Sequence, residues 1–235
     1  MIVSSAFAGK RYAILGLARS GMAALECLHA SGAELLAWDN REELRESVAD
    51  KAIIADPLTS DLRGYDAIVV SPGVPLNGQP ISRKAAEDGV QIIGDIELFA
   101  QARPSLPPHR VVGITGTNGK STTTALVHHI LQSAGIPTLM GGNIGVPILS
   151  QEPLPEGGVY VLELSSYQID LTMSLESPPV RHVVSQSHGN FCQQRRKDPI
   201  GSPLPARSRP DPEYCRYQRC RAGGAGRLAF AARPP

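Results

Sequence analysis

The chain has 235 residues, of which 42% are hydrophobic and 19% charged, an ordinary composition for a globular protein with a packed core. No apolar run approaches the ~18 to 20 residues that cross a bilayer, and the amino terminus lacks the apolar centre of a secretory signal, so we expect a cytoplasmic protein without membrane association. Its net charge of +1 is unevenly divided, because residues 183–235 carry ten basic and three acidic side chains, whereas residues 1–182 carry −6.

The first segment, residues 1–103, alternates apolar runs with amphipathic stretches. Strands are predicted at "RYAILGL" (11–17), "AELLAWDN" (33–40), "YDAIVVSPG" (65–73) and "GVQIIGDIELFA" (89–100), and helices at "SGMAALECLHASG" (20–32) and "ISRKAAEDG" (81–89). Strands that alternate with helices pair in parallel through helical crossovers. We therefore predict an α/β, Rossmann-like N-terminal domain.

The turn after the first strand, Gly16-Leu17-Ala18-Arg19-Ser20-Gly21, is similar to the dinucleotide fingerprint, with alanine in place of the second glycine. Asp39 ends the next strand, where a ribose-binding acid would lie. This pattern alone leaves an NAD-dependent oxidoreductase open. Such a degenerate turn is also common as a simple strand-to-helix packing turn, and Arg19 could instead meet a diphosphate.

The stretch "ARPSLPPH" (102–109) contains three prolines and predicts a linker. A second α/β unit follows over 104–180. Strands are predicted at "RVVGIT" (110–115), "PTLMGG" (137–142) and "VYVLELSS" (159–166), and a helix at "STTTALVHHILQSAG" (121–135). We interpret this unit as an incomplete ATP-binding α/β domain of the P-loop type.

The stretch "VVGITGTNGKSTT" (111–123) passes from a buried strand through a glycine-rich bend into a helix. It approaches the phosphate-cradle pattern G-x-x-x-x-G-K-[ST], although Ile114 stands where the first glycine would be. Backbone amides of such a loop face phosphate oxygens, Lys120 brings a charge to the outer phosphates, and Ser121 offers a hydroxyl to Mg²⁺. The alternative is a glycine turn beside a surface lysine. The predicted ATP-binding residues are Gly116, Thr117, Asn118, Gly119, Lys120, Ser121 and Thr122, with Lys120 also catalytic.

Glu163 lies near the end of the apolar strand "VYVLEL". At the carboxyl edge of a parallel sheet its carboxylate would project beside the cradle and share a magnesium ion with Ser121. An ordinary strand-end acid remains the alternative interpretation.

Several motifs occur in one order: "GLARSG", "WDNR", "SPGVP", "GDIELF", "GITGTNGKSTTT", "GGNIG" and "LELSSYQ". With these motifs, residues 9–180 resemble the Mur ligase family of peptidoglycan synthesis, and "GDIELF" favours its D-glutamate-adding members. The resemblance implies that the first domain binds a UDP moiety rather than NAD. It assigns substrate contacts to Arg19, Ser20, Asp39, Arg41, Gly73, Asn143 and Ser165, with a weaker assignment to Gln168, and a magnesium ligand to Glu163.

The activity implied by the resemblance is the ATP-dependent addition of D-glutamate to UDP-N-acetylmuramoyl-L-alanine through an acyl phosphate. Negative charge accumulates on the reacting groups in both steps, and a lysine and metal ions held in place are needed to stabilise it. We expect small-molecule substrates, no nucleic acid, and a monomer.

The family pattern becomes illegible after about residue 180. The family's magnesium-binding histidine, carbamylated lysine and D-glutamate-binding domain cannot be traced, and His182 and His188 lack the right surroundings. We predict a disordered tail over 181–235 and hypothesise that the reading frame slips between Ser177 and Val184. The chain is then an inactive fragment that binds nucleotides weakly. A basic tail that binds nucleic acid is the competing interpretation.

Overall fold

The computed structural model describes residues 1–72, 74 and 80–175 in full, together with the backbone of 180–184. Two separate sheets are present, and all of their strand pairs are parallel, which confirms the predicted α/β class. Within the described part of the chain, no helix has the length and apolar character needed to span a membrane.

The first sheet has the strand order β3-β2-β1-β4-β5 of a doubly wound nucleotide-binding fold. Its strands are Arg11–Leu15 (β1), Glu34–Trp38 (β2), Ile53–Ile54 (β3), Ala67–Val70 (β4) and Ile92–Ile93 (β5). Its helices are Arg19–Ala30 (α1), Glu42–Glu46 (α2), Pro80–Asp88 (α3) and Asp95–Ala102 (α4).

Helix α2 and strand β3 were not predicted, and the strand predicted over 89–100 is only partly correct, because Ile92–Ile93 form β5 but Asp95–Ala102 form helix α4. Helix α2 buries no side chain and β3 has only two residues, so neither leaves a periodic apolar signal. The sequence does not reveal α4 as a helix for the opposite reason. All but one of its eight residues are buried, so the helix has no polar face that would show its period.

The second sheet has the order β7-β8-β6-β9. Its strands are Arg110–Thr115 (β6), Thr138–Gly142 (β7), Val159–Glu163 (β8) and Val180–Val184 (β9), and its helices are Lys120–Ser133 (α5) and Ser166–Asp170 (α6). Strand β9 crosses the boundary predicted at residue 180. The rest of the predicted tail lies outside the described residues, as do 177–179 of the proposed frame slip.

The two sheets share one hydrophobic core. Helices α1 and α4 pack against a 3-10 turn, Ile148–Ser150, that belongs to the second sheet's half of the chain. Leu25, Phe99 and Leu149 are all fully or almost fully buried in this core, and the Ile2 amide donates to the Leu149 carbonyl at 2.9 Å. This packing fixes the carboxyl edges of both sheets relative to each other.

His109, at the end of the predicted linker, joins the two halves through an aromatic cluster. Its ring lies edge-on to Tyr160, 5.0 Å between centroids, and Tyr160 contacts Phe99 at the same distance. Arg103 Nε donates to His109 Nε2 at 3.1 Å, so Nδ1 carries the proton and donates to the Pro107 carbonyl at 2.7 Å. Burial lowers the pKa of His109, the Arg103 charge adds to this, and the Pro107 bond opposes it.

We expect the chain to lose stability as the pH falls below the ordinary histidine pKa of about 6.5, because the unfolded chain then takes up a proton that folded His109 resists. The urea concentration at which half of the protein is unfolded should therefore fall less between pH 7.5 and 5.5 in His109→Gln than in the wild type. His129→Gln, which changes an exposed histidine, is the control and should follow the wild type. Equal falls in all three proteins would contradict the prediction.

Candidate nucleotide-binding site

The loop between β6 and α5 turns at two glycines with positive φ. Gly116 has a φ of 145°, and Gly119, the N-cap of α5, has a φ of 73° and a ψ of 6°. Gly119 offers no side-chain cap to the first amides of α5. Helix-opening amides of this kind form an anion site together with the positive end of the helix dipole. The loop therefore has the backbone geometry that the sequence predicts for a phosphate cradle.

Lys120 is the first residue of α5, and its side chain folds back over the loop. Its Nζ donates to the Gly116 carbonyl at 2.9 Å. The ammonium group thus already lies over the concave side of the bend, where it would meet the outer phosphates of a nucleotide. The predicted alternative, a lysine extended from the surface, does not match this position.

Hydroxyl groups follow Lys120 along the helix. Thr123 Oγ1 and Thr124 Oγ1 each donate at 2.9 Å to the carbonyl four residues earlier, and these bonds tie them to the helix backbone. Ser121 and Thr122 are exposed at the helix start. Ser121 is therefore accessible to a magnesium ion beside the phosphates.

Glu163 ends β8 at the edge of the sheet where the cradle lies. It is in register with Ile114 of β6 and Gly142 of β7, and it is only 2% exposed. Asn143 holds it twice, since its Nδ2 donates to Glu163 Oε1 at 3.1 Å and its amide donates to the Glu163 carbonyl at 2.8 Å. Among the described residues Glu163 Oε2 has no hydrogen-bond partner.

An unpartnered buried carboxylate oxygen is costly and calls for a compensating cation. A carboxylate and a hydroxyl suit Mg²⁺, which keeps several waters and binds substrate phosphates with few protein ligands. No group of three or more His, Cys, Asp and Glu side chains converges within the described ranges. Glu163 and Ser121 fit the predicted magnesium site.

The turn after β1 is built for close contact between α1 and the strand. A Cβ on Gly21 would lie 1.8 Å from the Gly16 carbonyl oxygen and 2.6 Å from Ser71 Oγ, which itself donates to that carbonyl at 2.7 Å. Gly16 adopts a φ of 90°. Gly16 and Gly21 thus allow the tight packing of α1 on β1. A strand-to-helix packing turn was one of the two interpretations of this sequence pattern.

Asp39 fastens this turn to the end of β2. Its Oδ2 accepts from the Leu17 amide at 2.7 Å, and its Oδ1 accepts from the Arg41 amide at 3.0 Å and from Arg41 Nε at 3.3 Å. Burial raises the pKa of Asp39, but these hydrogen bonds outweigh it and lower the pKa overall. The two oxygens accept three hydrogen bonds, so the carboxylate is held in place and keeps acceptor capacity for a ligand.

Arg19 and Ser20, predicted to contact a diphosphate and uridine, begin α1. Arg19 Nη2 donates to the Gly145 carbonyl at 2.6 Å, in the loop that also carries Asn143. This bond brings the start of α1 beside the predicted substrate contacts of the second sheet. Arg41 is exposed near Asp39, and Gly73 lies outside the described residues.

Ser165, the remaining predicted substrate contact, is the N-cap of α6. It forms a capping box with Gln168, whose amide donates to Ser165 Oγ and whose Oε1 accepts from the Ser165 amide at 3.1 Å. Gln168 Nε2 donates to Asp95 Oδ1 at 3.2 Å. Burial raises the pKa of Asp95, whereas Gln168, the Ile96 amide and the Ser20 hydroxyl lower it through their interactions with the carboxyl group.

Asp95 is the residue of this region that the sequence did not single out. The S-x-x-Q pattern at Ser165 signals a capping box, but nothing in it indicates that the glutamine also reaches α4.

Two family models match the chain. "Mur ligase MurD-like, N-terminal domain" matches residues 10–94, and "Mur ligase middle domain" matches residues 114–184. The two matches fall on the first and second sheets respectively, and the second ends with β9.

Two relatives show the extent of the similarity. The UDP-N-acetylmuramoylalanine–D-glutamate ligase of Novosphingobium aromaticivorans is 71% identical over 175 residues, 74% of this chain and 40% of that protein. The protein of the same name from Sphingopyxis alaskensis is 66% identical over 176 residues, 74% of this chain and 41% of that protein. This chain thus spans about two fifths of the length of these relatives.

Among solved structures, the UDP-N-acetylmuramate:L-alanyl-gamma-D-glutamyl-meso-diaminopimelate ligase of Neisseria meningitides aligns with a TM-score of 0.41 at 20% identity. The alignment covers 66% of this chain and 52% of that one.

Proposed function

The chain belongs to the Mur ligase family, and we propose that it forms the nucleotide-binding part of an ATP-dependent ligase that adds D-glutamate to UDP-N-acetylmuramoyl-L-alanine in the cytoplasm. The observation that carries this proposal is the edge of the second sheet. There the Lys120 ammonium group lies over the glycine loop, and the buried Glu163 carboxylate, held by Asn143, keeps one oxygen without a protein partner.

In the proposed reaction, the alanine carboxylate attacks the γ-phosphorus of ATP, and ADP leaves. The D-glutamate amine then attacks the acyl carbon, phosphate leaves, and the nitrogen loses a proton. Lys120 and the loop amides hold the phosphates without rearrangement. A bound magnesium ion would neutralise phosphate charge. Asn143 holds the Glu163 carboxylate in place through Oε1, and Glu163 and Ser121 would hold the ion, with Asn143 as a second-sphere residue.

The first sheet is proposed to hold the UDP moiety at the start of α1. Arg19, Ser20, Asp39 and Arg41 gather there, and the helix start adds the positive end of its dipole. A nicotinamide cofactor is not proposed, because residues 10–94 match the MurD-like N-terminal domain of the Mur ligases.

We also propose that the 235-residue polypeptide binds these nucleotides without completing the ligation. It spans about two fifths of its relatives, and its described residues include no assigned D-glutamate site. A non-catalytic nucleotide-binding protein is the corresponding second candidate.

One experiment tests both parts of the proposal. The purified chain is supplied with magnesium-ATP, UDP-N-acetylmuramoyl-L-alanine and D-glutamate, and nucleotide binding is measured by calorimetry alongside phosphate release. We expect binding of both nucleotides and no phosphate release that depends on D-glutamate. Absence of magnesium-dependent ATP binding contradicts the assignment of the site, whereas D-glutamate-dependent release contradicts the proposed inactivity.

A further inference from the structure

Asp95 occupies an unusual position for an acidic residue. It is the first residue of α4, only 3% of it is exposed, and its Oδ1 accepts from Gln168 Nε2 and from the Ile96 amide. Oδ2 is buried and has no hydrogen bond among the described residues. Desolvation of this carboxyl group costs stability, and the two donors to Oδ1 and the start of α4 offset part of that cost.

On one side, Asp95 reaches the second sheet through Gln168. The side-chain amide of Gln168, itself 2% exposed, is shared between two partners: its nitrogen donates to Asp95, and its oxygen accepts from the amide and the hydroxyl of Ser165 at 3.1 and 3.2 Å. Because this amide is planar, a shift of Asp95 is passed to Ser165. Ser165 follows Glu163 by two residues at the end of β8.

On the other side, Asp95 begins α4, and α4 packs against α1, the helix that opens with the turn proposed to hold the diphosphate. Ser20 belongs to that turn and lowers the pKa of the Asp95 carboxyl group. This chain of groups has two buried members, Asp95 and Gln168, and two half-buried ends, Ser20 and Ser165. Both ends of this chain are predicted contacts of the same extended substrate.

We propose that Asp95 is a positioning residue that sets the spacing between the two halves of the nucleotide-sugar site. This inference rests on the proposed function and deepens it. A ligand that reaches both halves gains affinity only if the halves are held at the separation it requires. A ligand confined to the first sheet, such as UDP, gains nothing from this spacing.

Glu97, two residues further along α4, provides a matched control. Its Oε2 accepts from the Met173 and Ser174 amides at 2.6 and 2.9 Å, so it too ties α4 to the segment after β8. This second tie ends on residues that are not assigned to a binding site. Its removal should cost stability but should not change the spacing between Ser20 and Ser165.

The test compares the affinities of the full chain for UDP-N-acetylmuramoyl-L-alanine and for UDP by calorimetry. Asp95→Ala should reduce the advantage of the longer ligand by about tenfold and leave UDP binding within twofold of the wild type. Asp95→Asn keeps an acceptor for Gln168 and should retain the higher affinity for the longer ligand. Asp95→Leu removes the same hydrogen bond, keeps the buried volume and leaves Gln168 capping Ser165, so it should behave like Asp95→Ala, even where the latter fails to fold.

An unchanged affinity advantage of the longer ligand in both Asp95→Ala and Asp95→Leu would overturn the inference, as would an equal loss in Glu97→Ala. A wild-type chain that binds neither ligand would contradict the proposed function instead. The two failures are distinguishable, because the first appears only in the variants and the second in the wild type.

Discussion

Replacement of Lys120 by alanine should lower the affinity of the chain for magnesium-ATP by about 100-fold, since hydrogen bonds to charged groups contribute about 1.5 to 3 kcal/mol each. The ammonium group already lies over the loop, 2.9 Å from the Gly116 carbonyl. It would exchange this neutral partner for phosphate oxygens without a large rearrangement. The measurement is the dissociation constant of ATP, or of a non-hydrolysable analogue, with and without magnesium.

The variant Glu163→Gln distinguishes the contribution of the proposed metal site to ATP binding from that of the phosphate cradle. The amide oxygen can still accept from Asn143 Nδ2, whereas the charge on the unpartnered oxygen is lost. We expect weaker binding in magnesium and little change in EDTA, in contrast to Lys120→Ala, which should weaken both. Lys51→Ala removes a lysine that pairs with Glu26 of helix α1. It loses the same charge as Lys120→Ala and is therefore the control for that variant. A loss of equal size in the control would show that net charge, and not the cradle, sets the affinity.

Substitution of Gly21 by alanine should destabilise the chain by about 3 kcal/mol or more, at the upper end of the cost of overpacking. The added Cβ would lie 1.8 Å from the Gly16 carbonyl oxygen, a backbone atom that cannot rotate away. Helix α1 would have to move off β1, which also disturbs the hydrogen bond from Ser71 Oγ to that carbonyl. The free energy of unfolding from urea titration measures this effect.

Gly94→Ala is the control for the fold. Gly94 is the N-cap of α4, whereas Gly21 lies in the first turn of α1; the φ of Gly94 is −112°, and an added Cβ would meet Leu171 at an ordinary 3.6 Å. We expect a loss below about 1 kcal/mol, which reflects the poorer N-cap only. Comparable losses for the two glycine variants would mean that the close approach of α1 to β1 does not limit stability.

The local sequence was sufficient to predict the elements that have a clear hydrophobic pattern or end at a clear stop signal. Strand β6, the glycine bend and helix α5 were predicted almost residue for residue, because a continuous apolar run, two glycines and a long amphipathic stretch each produce a local signal. The fold class followed from the same alternation. Helices α2 and α4 were missed because a short helix with no fully buried side chain and a helix that is almost entirely buried both lack a clear apolar stripe.

Residue chemistry at the sheet edge was also accessible from the sequence. Side chains that follow parallel strands meet at the carboxyl edge, and this rule alone brings Glu163 beside the cradle. The orientation of that carboxylate, held by Asn143 with one oxygen left over, depends on a loop that returns from β7. Spacing along the chain carries no information about such a contact.

The sequence by itself therefore determined the α/β architecture, the phosphate cradle and the family motifs, since each is encoded in residues close together in the chain. Tertiary structure alone decided the links across the sheets: Arg19 to Gly145, and Asp95 to Gln168. These partners are separated by 126 and 73 residues respectively. They meet because α1 and α4 pack on the second half of the chain, and packing between distant segments leaves no periodic trace in the sequence.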